Sequence, residues 1–389
     1  MKILSINTYN NSLDFKLFNM DNETTISYGK CSHIGDINSN IYIKYGEEEY
    51  KEEIVISDYN SASKLLIEKL LSLGIVSSID DIDYIGHFIN NGSDKYIEPI
   101  IINDDVLNNI RDIELNNDSV LGIEAFKELM PNKIMVAVFD TSFHNTIDKV
   151  NYLYPIPIDW YRKYNIRKYG YNGISHSYIT SEVNNIMGDK YKLISVDLDK
   201  DSSVCAILDG KSINTSMGFR HLGGAMSGTS SGNIDPSIIP YIMEKEGKNA
   251  GEIINDLTNT SGLVGISELS SDMSDIVISS NEGNEESVLA KNMYVKSIVD
   301  YIGSYYLLLG GCDIIVFSSS IGEKEISIRR EICEKLGVLG VKIDLDLNQN
   351  TDKVIKISTE DSKIQVYVIP NNKELMVARE TMNLVRNGN

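Results

Sequence analysis

The chain has 389 residues, long enough for two domains, with 42% hydrophobic and 24% charged residues, the balance of an ordinary globular protein. Its formal charge is −20 and no run of Lys or Arg interrupts the acidic background, which excludes a nucleic-acid binder and a partner of anionic membranes. The opening MKILSINTYN carries no apolar signal core, and no apolar run approaches the roughly 18 residues of a membrane span. The four cysteines (Cys31, Cys205, Cys312, Cys333) form no CxxC pair, so a cytoplasmic protein with reduced thiols is expected.

Residues 5–18, SINTYNNSLDFKLF, alternate apolar and polar side chains on both sides of a polar break and predict a β-hairpin. Its turn reads Thr8-Tyr9-Asn10-Asn11, and the first half then reads as further strands before a helix. The acidic stretch EEEYKEE (47–53) reads as a solvated loop or an edge. Residues 62–73 form an amphipathic helix with Leu65, Leu66, Leu70 and Leu73 on one side and Gly74 as its stop. Strands follow at 82–89 and 134–140. The single tryptophan, Trp160 in IDWYRKY, is expected to pack within a domain-linking segment.

The pattern restarts at 193–208, LISVDLDKDSSVCAIL, again apolar strand, polar turn, apolar strand. Helices are expected around 235–246, with Asp235 as N-cap and Pro236 at the first helical position, around 286–308 and around 325–337. Between the last two, GCDIIVFSSSIGE (311–323) is a buried strand running into a glycine-containing turn. Two hairpin-led α/β halves imply an internal duplication with a ligand cleft between them.

Six blocks carry a resemblance: VFDTSFHNTI (138–147), YNIRKYGYNGISHSYI (164–179), NTSMGFRHLGGAMSGTSSGNIDPSIIP (214–240), SGLVGISELSSDMSDI (261–276), DIIVFSSSIGE (313–323) and VIPNNKELMVARET (368–381). In this order they resemble the acetate kinase family, of the superfamily that also holds sugar kinases, actin and Hsp70 ATPase domains. The resemblance implies an α/β fold of two domains with duplicated actin-like, ribonuclease H-like cores. It places an N-terminal domain at 1–150, completed by a C-terminal helix at 373–389. A second domain at 151–372 would carry the nucleotide-side motifs and the dimer surface. It also implies a homodimer and a reaction in which Mg-ATP and acetate give acetyl phosphate and ADP.

Phosphoryl transfer depends on positioning and on cations around the moving phosphate. The resemblance assigns that work to positions that here hold other residues. The arginine of Gly-His-Arg-Val-Val-His-Gly corresponds to Phe88 in GHFINNG, with Asn90 further along the same substrate-side strand, and the arginine of Gly-Thr-Arg-Ser-Gly to Ser230 in GTSSG. The histidine of Phe-His-Gly-Thr-Ser-His is Asn172, and the lysine closing the first hairpin is Asp14. The second phosphate loop, His-Leu-Gly-Asn-Gly in the family, is Asp197-Leu198-Asp199-Lys200-Asp201, with both glycines replaced by acids. The nucleotide-contacting Asp-Met-Arg is Asp272-Met273-Ser274, and Gly-Ile-Gly-Glu-Asn is Ser320-Ile321-Gly322-Glu323-Lys324. The magnesium-side glutamate corresponds to Lys373, while Asn7 on the metal side and Asp140 at the catalytic centre match the family. His176 matches as a framework histidine.

One transition-state arginine in phosphoryl transfer is worth about 10³–10⁵ in rate, and a carboxylate beside a triphosphate repels it. The leading expectation is therefore a catalytically degenerate acetate kinase homologue with a binding or regulatory role, as a homodimer or paired with a true acetate kinase. Two alternatives stay open. One is an active ATP-dependent kinase of acetate or another short-chain carboxylate. The other is a rebuilt site for another anionic substrate, in which Arg220 and His221 replace a family Thr-Pro at the substrate side and Lys200, Lys324 and Lys373 are new cations.

Overall fold

The computed structural model describes residues 1–387 and resolves into two units, Met1–Ser142 together with the chain from Asn372 onward, and Phe143–Asn371. In the first unit the opening hairpin forms from β1 (Lys2–Tyr9) and β2 (Ser12–Asn19), joined by Asn10 and Asn11 alone. Both turn residues are left-handed, with φ of 46° and 56°. That is the conformation a two-residue hairpin turn demands, and asparagine tolerates it best after glycine. The hairpin extends through β3 (Thr24–Ser32), β4 (Asn40–Tyr45) and β5 (Glu48–Glu53), so five strands precede the first helix. The acidic 47–53 stretch is thus the sheet's edge strand, where charged side chains keep other strands from adding.

The sheet is completed by β6 (Tyr84–Ile89), β7 (Ile100–Ile101) and β8 (Ile134–Phe139), in the order β5-β4-β3-β2-β1-β6-β8-β7. Alternation gives it two faces. Leu4, Ile6, Leu13, Phe15 and Leu17 join Leu66 and Leu70 of the helix Tyr59–Ser72 and Phe126 of the helix Asn117–Leu129 in one buried core. The C-terminal helix Lys373–Asn387 packs against β1, β2, β6 and β8. Gly86 permits its approach: a Cβ there would lie 2.4 Å from Thr381 Oγ1 and 2.8 Å from Val377 Cγ1.

The second unit repeats the local scheme. Strands β9 (Lys192–Asp197) and β10 (Ser203–Leu208) form an antiparallel hairpin, β11 (Lys211–Thr215) extends it, and β12 (Ile314–Ser318) runs parallel to β9 as β6 does to β1. The strands β13 (Ile355–Lys356) and β14 (Gln365–Val368) complete the order β11-β10-β9-β12-β14-β13. Val196, Leu198 and Phe317 pack against Tyr294, Ile298 and Ile302 of the long helix Glu285–Leu309. That helix is capped by Asn284, which accepts from Ser287 N–H, and ends at left-handed Gly310.

Three local expectations are corrected. The helix expected from Asp235 begins at Ile238, because the Asp235 carboxylate accepts from Ser237 N–H (2.9 Å) and holds Asp235-Pro236 in a turn of its own. The turn expected after β12 is a short helix, Ser319–Lys324. Trp160 does not pack away: it is 48% exposed on the helix Ile158–Tyr164, which buries none of its residues. All four cysteines are buried and free, and burial pushes each thiol up to about 12. Among the described residues, no helix is long and apolar enough to cross a membrane.

Candidate functional site

The positions singled out by sequence fall into two groups, one in each unit. In the first unit, Asn7 is buried near the end of β1 and pairs in register with Asp14 of β2. Asp14 pairs in turn with Lys30 of β3, whose ammonium is 3.5 Å from a carboxylate oxygen. Burial pushes the Asp14 carboxyl above its usual range, against the pull of Lys30 and Lys373. Lys373 opens the C-terminal helix with its ammonium 5.9 Å from the Phe88 ring centre. Phe88 thus brings an aromatic face, and no charge, to the position where the resemblance implies an arginine. The Asn90 side chain is turned to the short 3-10 helix Glu114–Asn116, its amide donating to Leu115 O (3.0 Å). Asp140 is buried directly after β8, and its N–H donates to Ile89 O (2.8 Å). Beside it, Thr141 Oγ1 accepts from Gly92 N–H (3.0 Å), so the backbone under Asp140 is fixed from two sides.

In the second unit the loop 198–202 between β9 and β10 is closed by its own hydrogen bonds. The Asp199 carboxylate accepts from the Ser320 hydroxyl (2.6 Å) and from Lys200 N–H (2.8 Å). Ser202 Oγ donates to Asp199 O (2.8 Å), and Gly228 N–H donates to Lys200 O (3.0 Å). Leu198 O accepts from the N–H groups of both Ile321 (2.9 Å) and Gly322 (3.2 Å). Asp197 is buried at the end of β9, whereas Lys200, Asp201 and Lys324 are exposed. Glu323 is half-buried, accepts from Asn371 N–H (2.9 Å), and is pushed up by burial.

Asn172 stands left-handed (φ 57°) immediately before the helix Gly173–Met187. Its amide donates to Asp201 O (3.0 Å) and Ser203 Oγ (3.1 Å). Ser203 Oγ also meets His176 Nε2 (2.8 Å), whose Nδ1 meets Ser195 Oγ (2.9 Å). His176 is completely buried and burial holds it neutral, in keeping with a framework role. Nearby, His221 lies on the Tyr171 ring with centroids 3.8 Å apart, and burial pushes its imidazole down, against Asp201. Arg220 is exposed, its guanidinium over the Phe219 ring at 5.4 Å.

Ser230 is buried, and its carbonyl accepts from Ser227 N–H (3.1 Å), which closes the 227–230 turn. Left-handed Gly262 lets the next segment pass, since a Cβ there would lie 2.3 Å from Ser227 O. Of the 272–274 triplet, Asp272 caps the helix Met273–Asn281 by accepting from Ser274 N–H (2.8 Å), Met273 enters the core, and Ser274 is exposed.

Hydrogen bonds therefore tie Asn172, Ser320, Ile321 and Gly322 to the loop 198–202 that carries Asp199, Lys200 and Asp201, with Ser230's turn attached through Gly228. Sequence reasoning missed Lys16, Lys30, Ser203 and Arg329. The two lysines share Asp14's face by strand alternation, a signal the pattern of β2 and β3 carries. Arg329 is fully buried and donates to Asn348 Oδ1 (2.7 Å) and to the carbonyls of Gly322, Glu323 and Gln349 (2.9 Å each). Nothing in its helical, charged surroundings, ISIRREICEK, sets it apart.

Two sheets, each led by a hairpin and continued by a parallel strand, with this cluster at the turn of the second, define a two-domain actin-like α/β protein. The sequence model of the acetokinase family matches residues 2–379, and the chain belongs to that family. It is 41% identical to acetate kinase of Bacillus subtilis (strain 168) over 393 residues, covering 99% of this chain and 100% of that one. It is 40% identical to acetate kinase of Acetivibrio thermocellus over 402 residues, covering both chains completely. The crystal structure of Porphyromonas gingivalis acetate kinase superposes with a TM-score of 0.93 at 30% identity, covering 99% of each chain. A propionate kinase from Francisella tularensis superposes with a TM-score of 0.93 at 32% identity, covering 98% of this chain and 99% of that one.

Proposed function

We propose that this acetokinase-family protein no longer transfers phosphate and serves a binding or regulatory role, as a homodimer or in a pair with a true acetate kinase. The observation that carries this reading is the Asp199 carboxylate, which already occupies the hydroxyl of Ser320 and the N–H of Lys200 on the loop that the resemblance assigns to phosphate. A carboxylate held there repels an incoming triphosphate and competes for its donors. Phe88 and Ser230 supply no positive charge at the two positions where arginine is implied. An ammonium at Lys373, where the resemblance implies a magnesium-side carboxylate, opposes a divalent cation that Asn7 and Asp140 would have to hold with little help. The residues present do not fit Mg-ATP.

A second reading is an active kinase of acetate or another short-chain carboxylate. It is favoured by 41% identity over 99% of the chain to a protein named acetate kinase, and by the superposition on a propionate kinase. The comparisons alone support this reading better than the first. Acyl phosphate formation from Mg-ATP with acetate, propionate or butyrate, trapped as hydroxamate, separates the two. The first reading expects no turnover from the folded protein. Turnover that Asp140→Ala abolishes would establish the second. A Phe88→Arg/Ser230→Arg double variant that gains turnover would show that the lost charges, not a lost fold, silence the site.

A further inference from the structure

One cavity of the first unit takes no part in the site described above. It encloses about 650 Å³ between the start of the helix Tyr59–Ser72, the helix Asn117–Leu129 and the turn of the first hairpin. Leu121, Glu124 and Glu128 are spaced three and four residues apart, so one stripe of the second helix forms a wall. Asp58 and Tyr59 stand on another, and Asn11 and Ile34 close the space. Hydrogen bonds tie the walls together: Ile34 N–H donates to Asn11 O, Gly35 N–H to Ile56 O and Asn10 N–H to Asp118 Oδ2 (2.8 Å each).

Three carboxylates line this cavity, and no lysine or arginine does. Asp58 caps its helix by accepting from Ser61 N–H (2.7 Å), and that bond holds its carboxyl below the usual range, so it stays charged. Glu124 accepts from Arg111 Nη2 (2.6 Å), while Glu128 meets the neutral Asn60 amide at 3.4 Å. The Tyr59 hydroxyl is buried without a hydrogen-bond partner of good geometry. Burial, with the Asp118 carboxylate beside it, pushes that phenol up, so it stays an uncharged O–H. A buried hydroxyl left unsatisfied on the wall of a polar cavity is one that a ligand can satisfy. The acids do not converge as metal ligands do: among the described residues no group of three or more His, Cys, Asp or Glu could hold an ion. The volume is that of a small-molecule site, roughly 300–1,000 Å³. Leu121, 49% exposed, and buried Ile34 offer an apolar surface beside the acids.

We propose that this cavity binds a small aliphatic diamine. Its ammonium groups pair with the Asp58 and Glu128 carboxylates, its methylene chain lies on Leu121, and the Tyr59 hydroxyl oxygen accepts from one ammonium. The site goes beyond the reading above and requires neither nucleotide nor phosphoryl transfer. A chain of net charge −20 gathers cations around itself in any case, so the place of binding, not total charge, is what the experiment must read.

The test titrates the full-length protein with 1,4-diaminobutane by isothermal titration calorimetry at constant ionic strength, with thermal shift beside it. Saturable binding at one site is expected. Asp58→Asn/Glu128→Gln keeps both shapes, and asparagine still caps the helix, yet binding is expected to weaken at least about tenfold. Asp80→Asn/Glu360→Gln removes the same charge from side chains 96% and 95% exposed and is expected to change nothing. Tyr59→Phe deletes an unsatisfied hydroxyl, so the empty protein is expected to melt no lower while binding weakens about threefold. The absence of saturable binding overturns the proposal, as does affinity that survives Asp58→Asn/Glu128→Gln or falls equally with the exposed pair. Nα-Acetyl-lysine amide, with one ammonium on a similar stem, is the second probe. If it binds as tightly as the diamine, the cavity belongs to a lysine side chain of a partner protein and the diamine is overturned. None of these readouts depends on acyl phosphate formation.

Discussion

Strands β1 and β2 close through two left-handed residues, Asn10 and Asn11, whereas β9 and β10 are joined by the five residues 198–202, drawn into a knot of hydrogen bonds around the Asp199 carboxylate. The strands themselves are alike: each hairpin is antiparallel, and each lends its first strand to a parallel neighbour. Their inward positions, Leu4 and Ile6 in one and Ile194 and Val196 in the other, are fully buried or nearly so. Burial constrains a strand residue by residue, since each core side chain is worth about 1.5–3 kcal/mol. A turn is constrained only to reverse the chain, so its chemistry is freer. One turn is the shortest that the twist of the strands allows, and the other is filled by its own hydrogen bonds.

The largest expected difference between the two halves is in acid. The first unit buries His87, which burial pushes down to about 3, while the second buries His144, pushed down to about 4, and His176, pushed well below its ordinary value. Each is neutral in the fold and takes up a proton near pH 6.5 when unfolded. The stability they contribute is complete above that pH and is lost as pH falls toward the folded values, at about 1.4 kcal/mol per pH unit for each histidine. The two rings of the second unit lie 5.9 Å apart, so protonating either one further opposes the other. Hydrogen exchange between pH 6.5 and 4.5 is expected to show the amides of β9 and β12 losing protection at least about twice as steeply as those of β1 and β6, since His221, also pushed down by burial, adds to the second unit's side. Equal slopes would break the comparison.

A second contrast lies in how each unit handles a long cation. In the first, Lys16 and Lys30 keep contact with solvent, while in the second Arg329 is wholly enclosed by four neutral acceptors. Arg329→Met would fill most of the volume but leave the carbonyls of Gly322, Glu323 and Gln349 without their donor. Each orphaned buried acceptor costs about 1–3 kcal/mol, so a loss of about 3 kcal/mol or more is expected in urea unfolding, with exchange protection falling in β12 and unchanged in β1. A loss under 1 kcal/mol would mean that water replaces the guanidinium without strain.

Much of this was legible in the sequence. The alternation of residues 5–18 and 193–208 gives both hairpins, because burial on one face of a strand forces a period of two. The helix 62–73 is found within three residues at its start, where Asp58 caps it from outside the apolar pattern by accepting from Ser61 N–H (2.7 Å). The identity of Asp199 and Lys373 is visible in the motifs, but not what their side chains do, since hydrogen bonds to Ser320 or contact with Phe88 join residues far apart in the chain. Arg329 was illegible for the same reason: four acceptors drawn from two segments, 322–323 and 348–349, enclose a side chain that its own helix would leave in water. The expected start at Asp235 failed because an aspartate before proline serves a turn as readily as a helix cap.

The smallest effect tests the turns directly. Asn11 stands at φ 56°, and its carbonyl accepts from Ile34 N–H (2.8 Å), while Asn10 N–H donates to Asp118 Oδ2 (2.8 Å). Asn11→Gly keeps those backbone bonds and removes the left-handed strain of a residue with a Cβ, but it also loosens the unfolded chain. The two terms nearly offset, and a gain of a few tenths of a kcal/mol is expected, because Asn-Gly is the preferred sequence of such a turn. Asn11→Ala keeps the Cβ without the amide and is expected to lose about 1 kcal/mol. In the second unit Asn172 has nearly the same backbone (φ 57°), yet Asn172→Gly is expected to lose stability, by about 1 kcal/mol, because its amide bonds to Asp201 O and Ser203 Oγ go with it. Opposite signs for one substitution at two left-handed asparagines, read by urea unfolding, would show that the first turn is held by backbone geometry and the second by side-chain bonds. Equal signs would mean that Asn172 contributes its conformation alone.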